Sequence, residues 1–528
     1  MFDQEDAAPW YRSLTGMLAA SILLPPLGLI LLWTRPGLNA QKKVLASVCI
    51  VVLGAGYVYL FMRLGRDSRR RADAEAHYAQ LERHRAEQQQ QAAQAAQTAP
   101  GSAVEQTAAV SNTAAQTSDA GQPQTSDEAA AMAHAEEAAK GARNYWTDFR
   151  GPGRDGRYDE LAVKTNWPSG GLPLLWRQPV GGGYASFVIA EGRAFTIEQR
   201  RNQEVVAAYD VGTGREQWTH GWSAEFRESM GGDGPRATPT WHDGRVYALG
   251  AAGELRCLDA KTGKLIWNRN ILSDNQASNI QWGMSASPLI VDDKVIVLPG
   301  GSSGKSVVAY NRLTGAPVWK ALDDEASYTS PMLVTLAGRR QVLVVTASRA
   351  VGVTPENGSL LWEFPWQNGQ GINVAQPIVA GGNRFFISAG YGRGAALVEV
   401  NGSGKGFSAR AVWENNSMKN KFNSSVLHNG YVYGLDEGIL TCVDVATGER
   451  KWKGGRYGYG QVILASGHLI VTTETGEIAL VKAAPDQHTE VAKFSALEGR
   501  TWNNPAISQG RLLVRNATQM ACYNLSAQ

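Results

Sequence analysis

Beyond residue 180 the chain alternates short apolar runs with tight polar turns. RATPTWHDGRVYALG at 236, SASPLIVDDKVIVLPG at 285 and VAQPIVAGGNRFFIS at 374 each read as strand, turn, strand. Their apolar positions recur with the period of two that a half-buried strand requires. The same design begins at 185 (ASFVIAEGRAFTIE), 328 (YTSPMLVT), 422 (FNSSVLHNGYVYG), 460 (GQVILASGHLIVTT) and 503 (NNPAISQGRLLVRN), which makes eight hairpins. Between them runs a second pattern, D-x-x-x-G-x-x-x-W. Its copies are Asp210, Gly214, Trp218; Asp259, Gly263, Trp267; Asn311, Gly315, Trp319; Thr354, Gly358, Trp362; and Asp444, Gly448, Trp452. The Asp or Asn ends a strand and accepts bonds from the turn's own backbone. The Gly supplies a positive φ, and the Trp opens the next strand with a face broad enough to pack between sheets. Trp413 and Phe494 mark two copies that lost the turn, and Trp176 precedes the first copy. These eight aromatics lie 39 to 52 residues apart, the period of a propeller built from four-stranded blades.

The final hairpin is followed by one strand only, MACYNLS, whereas LPLLWRQPV at 172–180 is an outer strand with no hairpin before it. Pairing the two closes the ring and leaves no long sheet edge exposed. The reading is an all-β, eight-bladed propeller over 143–528.

The region upstream has a different pattern. Two apolar runs, 17–33 and 44–62, each approach the ~20 residues needed to span a bilayer, which predicts a retained two-helix anchor at 17–62 after a tail at 1–16. Pro25 and Pro26 interrupt the first run. Arg35, Lys42 and Lys43 draw the short loop to the cytoplasm, while Arg63, Arg66, Arg69, Arg70 and Arg71 draw the far flank there too, so charge alone gives no single orientation. Residues 63–97 are rich in good helix formers and predict a polar helix or coiled coil, with His77 and His84 on a solvated face. Residues 98–142 carry almost no large apolar side chains and predict a disordered linker.

Charge and cysteine usage narrow the function. The net charge is +3 and no basic block lies among the repeats, which excludes nucleic acid as a partner. Cys257, Cys442 and Cys522 fill a slot that elsewhere holds Ala208, Ala309 or Gly352, a small buried strand position and not a metal or redox centre. His242, His428 and His468 fall in or beside hairpin turns and are expected at the surface.

The A-L-D-x-x-T-G-x-x-x-W pattern, as in LRCLDAKTGKLIW, resembles the pyrroloquinoline quinone (PQQ) repeat family. YWTDFRGPGRDG at 145–156, PLLWRQPVGGGYAS and GPRATPT at 234–240 are similar to segments of bacterial PQQ-like propellers. That family includes quinoprotein alcohol dehydrogenases and the outer-membrane assembly factor BamB. The resemblance implies an eight-bladed fold and a bacterial, periplasmic propeller at the inner membrane. It leaves activity open. The dehydrogenases combine PQQ, calcium, an adjacent Cys-Cys disulfide and an Asp base, and this chain has no adjacent cysteines and no C-x-x-C-H haem site. The expectation is a non-catalytic binding or scaffolding module with protein partners met through loops or blade edges. The alternative is a PQQ-dependent dehydrogenase of alcohols or sugars.

Segments joining one blade's outer strand to the next inner strand line one mouth of a propeller channel. The residues just before each inner strand are Tyr184, Arg236, Trp282, Tyr328, Asn373, Asn423, Tyr459, Trp502 and Asn503. Aromatics, one Arg and amides suit a planar or anionic ligand or a peptide, or else simply fill the channel. Asp323, Asp324 and Glu325 form either a calcium site or an exposed charged loop.

Overall fold

The computed structural model describes residues 18, 20, 21, 25–34, 38–98, 145–302, 304–404 and 406–527. By internal contact these fall into two units, Met1–Ala79 and Gln80–Gln528.

In the first unit, Pro25–Thr34 forms a helix of 10 residues, and a second helix begins at Ala40. Trp33 Nε1 donates to Ser47 Oγ at 3.0 Å, and Leu32 and Ile50 are buried between the two. One helix, over Ala40–Gln91, is long and apolar enough to cross a membrane. The first apolar run, 17–33, lies partly outside the described residues, and among those described this helix is the one spanning candidate. The apolar run and the polar stretch after it form a single helix, Ala40–Thr98. Its last turns, counted with the second unit, are not wholly solvated. Leu81 is buried, and half-buried His84 meets Gln178 instead of facing water. Arg85 pairs with Glu216, and Glu82 accepts two bonds from Arg201 at 3.0 Å. The expected linker at 98–142 lies outside the described residues, apart from Thr98.

The propeller has eight antiparallel sheets around one axis. Blade 1 runs from its inner strand outward as Val188–Ala190, Arg193–Arg200, Gln203–Asp210 and Glu216–Ser223. The next six blades repeat this order. Blade 8 consists of Ala506–Ser508, Arg511–Arg515, Gln519–Asn524 and Leu174–Pro179. Trp176 faces Cys522 in that register, so the orphan strand closes the ring as the repeat count required. The middle strands, such as RVYAL at 245 and RLLVR at 511, are sandwiched between blades and buried almost throughout. The outer strands face water on one side, and Gly406–Asn415 alternates exposed and half-buried positions along its length. Cys257, Cys442 and Cys522 are each fully buried in separate blades, and burial pushes each thiol up to about 12.

Each blade docks on the next through the repeated tryptophan. Gly263 has φ 71°, and a Cβ there would lie 2.5 Å from the Trp218 ring of the preceding blade. Trp218 Nε1 donates across the junction to Ala260 O at 3.1 Å. Trp176, Trp267, Trp319 and Trp413 make the equivalent bonds to Val211, Arg312, Pro355 and Val445. Trp452 keeps the equivalent bond, to Ala484 O at 2.9 Å, although blade 7 lost the turn, whereas Trp362 bonds Gln341 of its own blade. The motif thus joins adjacent blades, the Gly of one accepting the Trp of the blade before.

Candidate functional site

Antiparallel blades place the D-x-x-x-G turns on one face and the blade-to-blade loops on the other. The first face is closed by the segment just before the repeats. Trp146 O accepts from Ile189 N and Thr147 O from Trp241 N, so the segment lies against the inner strands of blades 1 and 2. Arg157 and Tyr158 then add a short parallel strand to the inner strand of blade 7. Between these ends two arginines point into the channel. Arg150 donates to Ser425 O (2.9 Å), Val462 O (3.2 Å) and Asn504 Oδ1 (3.1 Å), in blades 6, 7 and 8. Arg154 donates to Pro331 O (3.0 Å), Ser287 O (3.2 Å) and Pro288 O, reaching blades 3 and 4, and to Thr240 Oγ1 in blade 2. Both side chains are buried, and Asp148 accepts from Arg154 at 3.0 Å. Burial lowers both guanidinium pKa values, that of Arg150 to about 10. Two side chains therefore touch six of the eight blades and fill the waist of the channel.

The opposite mouth is aromatic and cationic. Phe422 lies between Tyr459 (4.9 Å between ring centroids) and Trp502 (4.8 Å), and Trp502 continues to Tyr184 (5.6 Å). Gln461 Nε2 ties the cluster together by donating to Trp502 O and Phe422 O at 2.8 and 3.1 Å. Glu474 holds it from the side, accepting from Trp502 Nε1 at 3.0 Å and Tyr459 N at 3.2 Å. Lys421 Nζ lies 5.0, 5.3 and 5.7 Å from the rings of Tyr459, Tyr391 and Phe422. Arg500 stacks on Trp502 at 4.5 Å. Arg236 lies over Phe226 (4.5 Å) and Tyr184 (5.6 Å) and donates to Gly232 O and Gly234 O. Trp282 and Tyr328 form a separate pair at 5.7 Å. Burial raises the phenols of Tyr184, Tyr328 and Tyr391, which keeps them protonated donors at neutral pH.

Of the nine rim positions marked in the sequence, Tyr184, Arg236, Tyr459 and Trp502 join this cluster, and Trp282 and Tyr328 make the separate pair. The three amides are buried instead. Asn373 Nδ2 donates to Thr346 O (2.8 Å) and Trp366 O (3.2 Å) and serves as an internal staple of blade 4. Asn503 Nδ2 staples blade 8 to blade 1 through Gly183 O and Ala185 O. Asn423 Oδ1 accepts from Asn420. Phe422, Lys421, Tyr391 and Arg500 belong to the cluster without being marked positions. Phe422 lies one residue before a marked position and Lys421 and Arg500 two before one, whereas Tyr391 comes from the turn between two middle strands, which reaches the same face. Asp324 is buried and held bidentately by Arg349 at 2.7 Å to each oxygen, and Asp323 accepts from Gly304 N. This acidic loop lies over a polar hollow with Ser348 and Asn368, but an arginine already neutralises its buried member. Among the described residues no cluster of three His, Cys, Asp or Glu is arranged to hold a metal.

The docking tryptophans, the ring closure and the repeat spacing define a PQQ-like eight-bladed propeller. The chain belongs to the family described as outer membrane protein assembly factor BamB, whose model matches residues 169–296 and 201–454. It is 24% identical over 319 residues to the BamB of Yersinia pestis, covering 56% of this chain and 75% of that one. It is 28% identical over 192 residues to the quinoprotein ethanol dehydrogenase of Pseudomonas aeruginosa, covering 31% of this chain and 30% of that protein. The chain therefore spans under a third of that dehydrogenase. Among solved structures, the quinohemoprotein alcohol dehydrogenase ADHIIG of Pseudomonas putida HK5 superposes with a TM-score of 0.51 at 14% identity. That match covers 74% of this chain and 81% of the other.

Proposed function

We propose that this chain is a non-catalytic binding or scaffolding propeller in the bacterial periplasm. In this reading it is held at the inner membrane by two helices from 17–33 and 44–62, with 143–528 as the working domain beyond a polar helix and a linker. Its recognition surface is the mouth formed by Tyr184, Arg236, Tyr459 and Trp502, extended by Trp282 and Tyr328.

The observation that carries this reading is the channel waist filled by Arg150 and Arg154. A buried guanidinium pair there is a structural device, because carbonyls of the blades accept from both side chains, and of the pair's nitrogens Arg150 Nε is left without a partner. The cofactor of the dehydrogenase relatives meets a poor donor set in this chain. A planar tricarboxylate finds rings and cations at the mouth. Calcium needs free carboxylate oxygens, and those of Glu474 and Asp324 are committed to indole, backbone and guanidinium donors. The propeller's cysteines stand singly in different blades.

The test is a titration of the full chain in detergent with PQQ and calcium, followed by tryptophan fluorescence and by dye reduction in an alcohol and sugar screen. Absence of turnover is expected. Saturable binding coupled to dye reduction would replace this reading with a PQQ-dependent dehydrogenase.

A further inference from the structure

Among the described residues the mouth carries two cations with no direct ion-pair partner. Lys421 Nζ has three aromatic rings around it and no carboxylate partner among the described residues. Arg500 lies on Trp502 and donates to the carbonyl of Met230 at 3.2 Å. The acids close by are already engaged. Glu474 accepts from the Trp502 indole and Tyr459 N, Glu228 from the backbone of Met230 and Gly231, and Asp233 from Glu228 N. The rings of Phe422, Tyr459 and Trp502 connect the two cations into one continuous surface.

A second observation lies directly behind those rings. Asn423, Gln461 and Asn503 are buried to within 2% exposure, yet each keeps one side-chain polar atom with no partner. They are Asn423 Nδ2, Gln461 Oε1 and Asn503 Oδ1, one donor and two acceptors. Each residue is one or two positions along the chain from a ring of the cluster, namely Phe422, Tyr459 or Trp502. These amides are sealed from solvent and form the rigid backing of the aromatic surface.

We propose that this part of the mouth, on blades 6 to 8, binds an extended acidic peptide segment of a partner protein. A side-chain carboxylate sits at Lys421, a second acidic group sits toward Arg500, and an aromatic or aliphatic neighbour lies on Phe422 and Trp502. A side chain beside the carboxylate can cover the rings that join the two cations, which a simple anion cannot do. Tyr, Trp and Arg are also the residue types that anchor protein interfaces. The inference rests on the scaffold reading in one respect, that the occupant is a protein segment.

The experiment titrates the full chain in detergent with an eight-residue peptide of alternating Glu and Phe, followed by tryptophan fluorescence and calorimetry. The same peptide with Gln for Glu is the neutral control, and PQQ is a third arm. Saturable binding is expected, at least tenfold weaker for the neutral peptide and weakened by salt. Lys421→Met should weaken the acidic peptide about tenfold and leave the neutral one unchanged. The comparison of the two peptides on the unaltered chain keeps the test valid should a variant misfold. Equal binding of acidic and neutral peptides, or indifference to Lys421→Met, would overturn the assignment. Binding of PQQ without the acidic peptide would also overturn it, in favour of a small planar carboxylate. Only dye reduction with PQQ bears on the scaffold reading itself, so the two failures are separable.

Discussion

Gly244 and Gly263 belong to the same blade and hold the same left-handed backbone, φ 70° and 71°. They differ in their surroundings. A Cβ on Gly244 meets nothing within 4 Å, whereas one on Gly263 would lie 2.5 Å from Cε3 of Trp218. Replacing either by alanine places an L side chain in the left-handed region, at about 1–2 kcal/mol. At Gly263 the indole must also move. Overpacking of this kind costs about 1–3 kcal/mol, and loss of the 3.1 Å bond to Ala260 O adds about 1 kcal/mol. Gly244→Ala should therefore destabilise by about 1–2 kcal/mol and Gly263→Ala by about 3–6 kcal/mol. The difference isolates the docking of one blade on the next, since the strain common to both cancels. The assay is guanidinium unfolding of the full chain by tryptophan fluorescence, with midpoints compared at unchanged slope. A gap below about 0.5 kcal/mol would refute the argument that the Trp seats on the bare face of this glycine, because independent surface changes already scatter by that amount.

Arg154→Met should cost about 3–5 kcal/mol, as expected for breaking a buried ion pair, and should speed proteolysis between residues 145 and 172. Unchanged unfolding and cleavage would show that the channel closes without it. Glu204 is fully buried, and burial raises its carboxyl from 4.5 to about 7, so the native state holds a proton that the unfolded chain releases above 4.5. Stability should fall as pH rises from 4.5 to 7 and then level off; Glu204→Gln keeps the bond from Ala251 N, should abolish that slope and should stabilise the protein at pH 7 by about 2–3 kcal/mol, as read from unfolding at several pH values. A maleimide should label none of Cys257, Cys442 and Cys522 in the native protein and all three after unfolding, as counted by intact mass.

The repeats made the architecture legible because a propeller is periodic. Strand alternation, turn residues and an aromatic every 39 to 52 positions all report the same unit, and the leftover strand at 172–180 dictated the closure. What was not legible is what lacks a period. Arg150 and Arg154 occur once, and their carbonyl partners lie up to 312 positions away, so nothing local in DFRGPGRDG announces a plug. The Lys421 cage draws on Tyr391, Phe422 and Tyr459, contributed by three different blades and two kinds of turn. Before the inner strands the large side chains gather into ring contacts. Asn373, Asn423 and Asn503 do not, since a short amide is within reach of neighbouring backbone carbonyls or side chains and is drawn in among them. His84 looked solvated because a polar helix pattern does not disclose that Gln178 and Glu216 lie beside it.

The strand Leu174–Pro179 has one partner, Gln519–Asn524, and a bond between these strands, from Arg177 to the Tyr523 hydroxyl, spans 346 positions. At roughly 5–20 residues per second, synthesis needs about 20–70 s to produce that partner. During that interval an apolar strand with Leu174, Leu175 and Trp176 has no edge to join. Blades 1 to 7 can form behind it as an open arc, but the arc keeps two unpaired ends until the final strand arrives. The nascent chain is thus most prone to pairing with its neighbours just before completion. Any holding factor in the cell would be needed at that moment, and a premature stop between residues 495 and 519 would leave a nearly whole protein with a permanently open seam.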